Sequence, residues 1–373
     1  MPATYIDTIK PDMLRWAFGR AGVSEEEAVS LFPQLAQWLS GEKLPTLRLL
    51  KQFAEKFFVP FGYLFLEHEP EERLPFPMFR GSLGQHDHFN LNVYDTVLSV
   101  MRKQEWLEDY LIENEIDTCK FVGISNIDNP VHTTVALLHQ HLELESRWAF
   151  SLANTETAVN TLSQKLEDKG VFLAYNGVVG NNNHRKIDVN ECRGFALVNN
   201  VAPYIFINSA DSKTAQLFTL IHEAAHIMLG TSAGHAGSEV LNGDERTERY
   251  CDLVAAEFLV PAAELRQIWV GDTKSASHRF KVSELVIARR AHDLGLMSNE
   301  QYQSFWAIYS QRTLLQKKGS GGDFYLTSVK RVGRTFAVHV KNAVNSNQLS
   351  HTEAYRLTGL YGNTYQRFMN EKI

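Results

Sequence analysis

The sequence predicts an α+β protein with a helical N-terminal module, a central part containing a small sheet, and a small α/β C-terminal unit. Three observations lead to this class. Apolar residues recur at helical spacing along most of the 373 residues. Two short apolar, β-rich runs, residues 171–179 and 202–208, have the composition of strands. A proline-containing stretch and a glycine-rich stretch interrupt the chain. The predicted segments are a module over 1–69, a linker over 70–90, a central domain over 91–312 and an extension over 313–373.

The N-terminal module reads as several short helices joined by tight turns. Leu14, Ala17 and Phe18 share one face of the first helix. Ser24 and Glu27 form the capping-box pattern that begins a second helix. Short helices joined by a glycine-containing turn are typical of a helix-turn-helix module.

The central part begins with a long amphipathic helix predicted over residues 91–113. Helices over 133–144 and 157–170 precede the two strands. Three more helices follow them, and the second of these stops before Pro261. Beyond the glycine-rich break, residues 324–331 and 335–344 predict the C-terminal strand and helix unit.

The composition excludes several classes of protein and of site. A net charge of −6 argues against a protein built mainly to coat nucleic acid. The three cysteines are odd in number and widely spaced, so neither a disulfide framework nor a CxxC metal pair is indicated. Any metal must therefore bind to His, Asp or Glu. No signal pattern or apolar run of spanning length occurs, which predicts a soluble, cytoplasmic protein without a membrane partner.

The stretch "LFTLIHEAAHIMLG", residues 217–230, carries the chemistry of the chain. His222 and His226 are four residues apart, so on a helix they share one face and can hold one ion. Glu223 lies one residue round, where it reaches a water molecule on that ion. This HExxH arrangement is typical of zinc metallopeptidases, with Glu223 as the catalytic base. Catalytic zinc needs a third protein ligand and one open position.

The third ligand is predicted on the helix that follows. A third histidine at the metzincin spacing is excluded, because Leu229 and Ser232 occupy the positions that pattern requires. Glu248 is the preferred ligand, and Asp252, one turn later, is placed to orient a histidine ring. Glu245 and Asp244 remain the nearest alternatives to Glu248.

Longer segments of the sequence resemble the ImmA/IrrE metallopeptidase family. The resemblance lies in "RGFALVNNVAPYIFINSADSKTAQLFTLIHEAAHIML", "ERYCDLVAAEFLVP" and "FKVSELVIARRAHDLGLMS". Residues 14–80 resemble the Xre-type helix-turn-helix segment fused to many members, and residues 321–360 resemble their C-terminal extension. The chain departs from the family at Cys251-Asp252, where Ala-Asn is usual, at Val254, and at Ala225 within HExxH. None of these changes removes a catalytic group.

The resemblance implies a zincin-like peptidase domain and a bacterial or phage origin. It implies one Zn2+ per chain, bound by His222, His226 and Glu248 as in gluzincins, with Glu223 as base. Relatives cleave one particular regulatory protein in stress response or mobile-element control. The expected partner is therefore a repressor, or an antitoxin-like or toxin protein encoded nearby. The alternative is a non-proteolytic DNA-binding regulator or antitoxin that holds a toxin through a structural or vestigial zinc site.

The second strand is predicted to bind the substrate. An extended peptide would pair along it as on an edge strand, through Tyr204, Ile205, Phe206, Ile207 and Asn208. For the group that stabilises the oxyanion, Tyr204, His235 and Arg246 are candidates of equal standing.

DNA binding by the N-terminal module is one of two open interpretations. Residues 1–80 carry nine basic and eleven acidic residues, which gives little attraction for phosphate. The predicted DNA contacts are the polar residues of the candidate recognition helix and the basic residues after it: Gln34, Gln37, Ser40, Lys43, Arg48 and Lys51. The other interpretation is a module that docks a protein.

Overall fold

The computed structural model describes residues 4–72, 91–117, 119–230, 245–312 and 324–373. The chain divides into two compact units, Met1–Leu74 and Pro75–Ile373. Most of the predicted linker, residues 73–90, lies outside the described residues. The predicted boundary between residues 312 and 313 falls inside the second unit, and the segmentation otherwise stays a prediction.

The first unit is helical. Its elements are α1 (Pro11–Arg20), α2 (Glu25–Leu31), α3 (Leu35–Leu39), α4 (Leu47–Lys56) and a 3-10 helix (Phe61–Phe65). The predicted capping box of α2 is confirmed, because the Ser24 hydroxyl accepts from the Glu27 N–H and the Glu27 carboxylate accepts from the Ser24 N–H. Leu14, Ala17 and Phe18 pack into the apolar core of this unit, as the helical spacing predicts.

The second unit combines helices with a small sheet, which confirms the α+β class. Its described helices are α5 (Leu91–Glu113), α6 (Val131–Leu142), α7 (Thr155–Asp168), α8 (Lys213–Leu229), α9 (Glu245–Leu259), α10 (Ala262–Ile268), α11 (Thr273–Phe280), α12 (Glu284–Asp293), α13 (Asn299–Arg312), α14 (Phe324–Val332), α15 (Arg334–Asn345), α16 (His351–Thr358) and α17 (Gly362–Glu371). Its described strands are β1 (Phe172–Tyr175), β2 (Val178–Val179), β3 (Asn182–Lys186), β4 (Gly194–Leu197) and β5 (Tyr204–Ile207). Among the described helices, none combines the length and the apolar character that a membrane span needs.

The main sheet has the order β1-β5-β4, with β5 parallel to β1 and antiparallel to β4. The prediction that Tyr204 to Asn208 form an edge strand is therefore wrong, because β5 is the central strand and is paired on both sides. All four residues of β5 are buried. A short run that is apolar on both faces is the pattern of a strand covered on both faces, not of an edge strand that faces solvent. The edge strand beside α8 is β4.

The two faces of the sheet support different elements. Leu173, Ile205 and Ile207 point to the face where α7 and α8 pack and join the main apolar core. On the opposite face the Phe172 and Tyr204 rings stack, and Tyr204 meets Phe336 of α15 edge to face. Helices α5, α14 and α15 cover this second face.

The described C-terminal segment is entirely helical, so the predicted strand there is wrong. Its β-branched residues favoured a strand, but the residues of α15 that are buried, Phe336, Ala337, Val340 and Ala343, follow the helical period. Gly333 separates α14 from α15 with a φ of +91°. A Cβ there would lie 2.4 Å from the Leu173 carbonyl oxygen, so this junction packs directly onto β1.

Gly194→Ala tests how closely α8 packs on β4. A Cβ at Gly194 would lie 2.6 Å from Thr219 Cγ2 and 2.8 Å from the Phe206 carbonyl oxygen. We expect the overpacking to lower the free energy of unfolding by about 1–3 kcal/mol, measured by urea denaturation. Gly19→Ala is the control, because it adds the same methyl group to α1 with nothing within 4 Å. Equal stability of the two variants would contradict the close packing.

Candidate metal centre

Helix α8 is the central helix of the second unit. Ser212 begins it by accepting a hydrogen bond from the Ala215 N–H, and Gly230 ends it with a φ of +64°. Between these residues the helix is buried nearly all round, which is the pattern of a helix at the centre of a core. The polar groups that it carries must therefore find partners within the protein.

Two histidines of α8 and one glutamate of α9 converge on a single point. His222 Nε2 lies 3.2 Å from His226 Nε2 and 3.2 Å from Glu248 Oε2. His226 Nε2 lies 3.1 Å from Glu248 Oε1. Among the described residues this is the one group of His, Cys, Asp or Glu side chains with potential ligand atoms within 4.8 Å of one another.

The spacing of these atoms fits a zinc ion. A tetrahedral zinc site with bonds of about 2.0–2.2 Å places neighbouring ligand atoms about 3.3–3.6 Å apart. The two histidine nitrogens and the two Glu248 oxygens lie slightly closer together than that spacing, and a His2Glu set leaves the fourth position open. Two imidazole nitrogens that face each other at 3.2 Å need a proton or a cation between their lone pairs.

Asp252 and Glu248 both bond to His222. Asp252 Oδ1 lies 2.9 Å from His222 Nδ1, one turn beyond Glu248 on α9. Burial lowers the pKa of His222, but the hydrogen bonds to Asp252 and Glu248 outweigh burial and raise the pKa to about 10. Burial likewise raises the pKa of Glu248, but its hydrogen bonds to both histidines outweigh this and hold the pKa at about 2. These contacts thus favour the charged forms of His222 and Glu248.

Glu223 lies beside this cluster and is buried. The backbone N–H of Ala196 donates to its carboxylate, and burial raises its pKa. Its Oε2 atom has no hydrogen-bond partner among the described residues. A buried carboxylate oxygen without a partner is the group expected to bind a water molecule or the proton of a substrate.

Strand β4 runs alongside α8 at the site, and sequence reasoning missed it. Gly194 packs on Thr219, and Ala196 contacts Glu223 four residues later on the helix. Two residues of a strand and four residues of a helix both span about 6–7 Å. Gly194 and Ala196 can therefore contact Thr219 and Glu223, respectively, at the same time. The signal in the sequence was weak, because β4 is four residues long and begins with glycine.

Helix α9 is held in place by contacts on its other side. The Tyr250 hydroxyl donates to the Asn129 carbonyl at 2.9 Å and lies 2.6 Å from Thr134 Oγ1 on α6. Arg246 pairs with Asp128 at 2.7 Å. Cys251 is fully buried, and burial raises the pKa of its thiol, so the thiol stays protonated.

Tyr204 and Asn208, predicted to serve the substrate, have other contacts. The Tyr204 hydroxyl is buried against the Val332 carbonyl, 3.4 Å away on the face of the sheet opposite α8, so Tyr204 does not serve the site. The Asn208 amide donates to the carbonyls of Ile187 and Cys192 and fixes a loop. His235, Asp244 and the side chain of Glu245 lie outside the described residues.

The predicted DNA contacts all lie in the first unit around α3 and α4. Five of the six are exposed, and Gln37 is half-buried. Lys51 lies 5.8 Å from the centre of the Phe61 ring, and the Ser40 hydroxyl donates to the Gln37 carbonyl. Contact with DNA stays a prediction.

Comparison with known families agrees with this geometry. Residues 167–292 match the IrrE N-terminal-like domain, Peptidase M78. The match supports the ImmA/IrrE resemblance and a metallopeptidase of that type. The IrrE-like segment contains the main sheet, α8 and α9, and so all of the converging side chains. Residues 332–371 match a domain of unknown function, DUF8813. Searches of curated proteins and of solved structures give no match.

Replacement of Asp252 tests its contact with His222. Asp252→Ala removes the acceptor that fixes the ring, and we expect zinc affinity to fall about 10–100-fold. Asp252→Asn should retain most of the affinity, because its amide oxygen can still accept from Nδ1–H. Competition with a chromophoric chelator measures both. Asp293→Ala, at a surface acid that pairs with Arg289, is the matched control and should bind zinc like the unaltered chain.

Proposed function

We propose that this chain is a zinc-dependent endopeptidase that cleaves one regulatory protein, a repressor or antitoxin-like partner. The observation that carries the proposal is the convergence of His222, His226 and Glu248 beside the buried carboxylate of Glu223. The match of this segment to Peptidase M78 supports it independently. A structural zinc site needs neither an open position nor a base.

Each residue of the site has a part in peptide hydrolysis. His222, His226 and Glu248 would hold the ion, and Asp252 would keep the His222 ring turned with Nε2 toward it. Zinc, when bound, supplies the positive charge that acidifies a water molecule and polarises the scissile carbonyl. Glu223 takes the proton of the attacking water and delivers it to the leaving amine nitrogen. The raised pKa of Glu223 suits a group that must hold this proton between the two steps.

The substrate backbone would pair with β4. In the register of β4 with β5, Arg193 and Asn208 form a hydrogen-bonded pair, so the backbone groups of Gly194 and Ala196 point away from β5. An extended peptide that pairs along this edge with the Gly194 backbone groups and the Ala196 carbonyl lies next to Glu223, because the Ala196 N–H already donates to the Glu223 carboxylate. This position replaces the predicted pairing along Tyr204–Asn208.

Substrate selection follows from the same edge. Hydrogen bonds between backbone groups do not depend on the amino-acid sequence of the substrate. The choice of partner must therefore come from side-chain contacts beyond β4. A regulator or toxin encoded beside this chain is the partner to test first. The alternative is a non-proteolytic regulator with a vestigial site. It gives no function to the open coordination position of the metal or to the buried carboxylate of Glu223.

Glu223→Gln separates metal binding from catalysis. The amide keeps the size of the side chain but cannot accept the proton, so cleavage should fall by a factor of about 100 to 10,000 while zinc content stays at one per chain. Zinc is measured by mass spectrometry of the purified protein, and cleavage by intact mass of co-expressed neighbouring gene products. Glu300→Gln, on α13, is the control with the same chemical change. A zinc-loaded chain that leaves all these products intact would favour the non-proteolytic alternative.

A further inference from the structure

A cavity lies on the face of the main sheet opposite α8. Its volume is about 160 Å³, and α5, α14 and α16 wall it together with β1 and β5. Part of this wall belongs to residues 332–371, the segment that matches the domain of unknown function. Phe206 of β5 forms part of the floor, whereas its neighbours Ile205 and Ile207 face α8.

Three cations line this cavity, and the described residues lining it include no aspartate or glutamate. Lys103 comes from α5, Arg331 from α14 and Arg356 from α16. Arg331 donates to the amide oxygens of Asn181 at 3.4 Å and Asn183 at 3.2 Å, both neutral acceptors.

Acidic residues near the cavity already have partners. Arg356, which is exposed, pairs with Glu353 at 3.4 Å. Asp95, one turn before Ser99 on α5, pairs with Arg185 at 2.7 Å. The positive charge of Lys103 and Arg331 is therefore left without a counter-charge among the described residues.

Lys103 shows the cost of this arrangement most clearly. The side chain is half-buried, and its ammonium lies 5.4 Å from the centre of the Phe336 ring. No carboxylate among the described residues lies within ion-pair distance of it. Burial lowers the pKa of Lys103 to about 8. A cation held in a desolvated position without an anion is destabilising unless a ligand supplies the anion.

The rest of the lining is a mixture of donors and apolar surface. Thr96, Ser99, Val100 and Lys103 form one stripe of α5, at the spacing i, i+3, i+4 and i+7. The hydroxyl groups and the cations lie around apolar atoms of Val100, Phe206 and Leu357. Binding sites for small molecules have this composition, with few polar groups in an apolar setting.

We propose that this cavity binds a small molecule that carries a phosphoryl group and a compact apolar body. Lys103 and Arg331 would bind the phosphoryl oxygens, with Arg356 at the mouth, and Phe206 and Leu357 would cover the apolar part. A phosphoryl dianion matches several cations better than a carboxylate does, and the guanidinium fork of Arg331 suits its geometry. A cavity of about 160 Å³ has room for a molecule of this size.

Calorimetric titration of the full chain tests this site with defined probes. We expect phenyl phosphate to bind more tightly than inorganic phosphate, and benzoate to bind at least about 10-fold more weakly than phenyl phosphate. Lys103→Met and Arg331→Gln should each weaken phenyl phosphate binding about 10-fold or more, because each removes a charge-assisted hydrogen bond. Arg331→Lys should recover part of the loss.

Matched controls come from adjacent residues with the same charge change. Arg102→Gln and Lys330→Gln lie beside Lys103 and Arg331 but do not line the cavity, and both should bind phenyl phosphate like the unaltered chain. Glu223→Gln should also bind normally, which separates this site from the proposed peptidase site. The assignment is overturned if phenyl phosphate fails to bind at millimolar concentration or if the control variants lose as much affinity as the cavity variants. It is equally overturned if benzoate binds more tightly than phenyl phosphate.

Discussion

The burial of α8 nearly all round is the constraint on which the rest of the second unit depends. On this helix, Glu223 Oε2 and His226 Nδ1 have no partner among the described residues, but the other polar atoms of both side chains need one, since unpaired polar groups cost several kcal/mol in an apolar core. The partners come from its two neighbours, as Ala196 of β4 donates to Glu223 and Glu248 of α9 bonds to both histidines. The close contact of Gly194 with Thr219 brings β4 near enough to do this. The site is thus a consequence of how the helix is enclosed.

The charges of the cluster follow from the same enclosure. Two imidazoles and a carboxylate share one small space, and the shifts in the pKa of His222 and Glu248 show that this space favours positive charge next to the carboxylate. A proton supplies one positive charge at this point, and a divalent cation supplies two. Cys251 is buried close by, and burial raises the pKa of its thiol. The thiol therefore stays neutral and adds no charge to the cluster.

Local patterns predicted the helices well and the sheet poorly. The spacing of apolar residues gave the bounds of α5, and the HExxH spacing with Glu248 and Asp252 on the next helix gave the residues that converge. The position of a strand within a sheet depends on contacts that are distant in sequence. For that reason the local pattern predicts a strand at Tyr204–Ile207 but wrongly places it at the edge, and it does not predict the four-residue β4. In α15 the β-branched composition hid a helical period of buried residues.

The alternation of side chains along β5 explains how one small sheet can serve two chemistries. Ile205 and Ile207 pack on α8, which carries the two histidines of the candidate metal centre. Phe206, between them, faces the cavity that is lined by Lys103 and Arg331. Sites of opposite polarity on one surface would weaken each other, because Lys103 and Arg331 would repel a bound cation. The two groups lie on opposite faces of the sheet, so the width of the sheet separates them and weakens this repulsion. The pleat of a single strand therefore separates the two charge environments without requiring a separate domain for each.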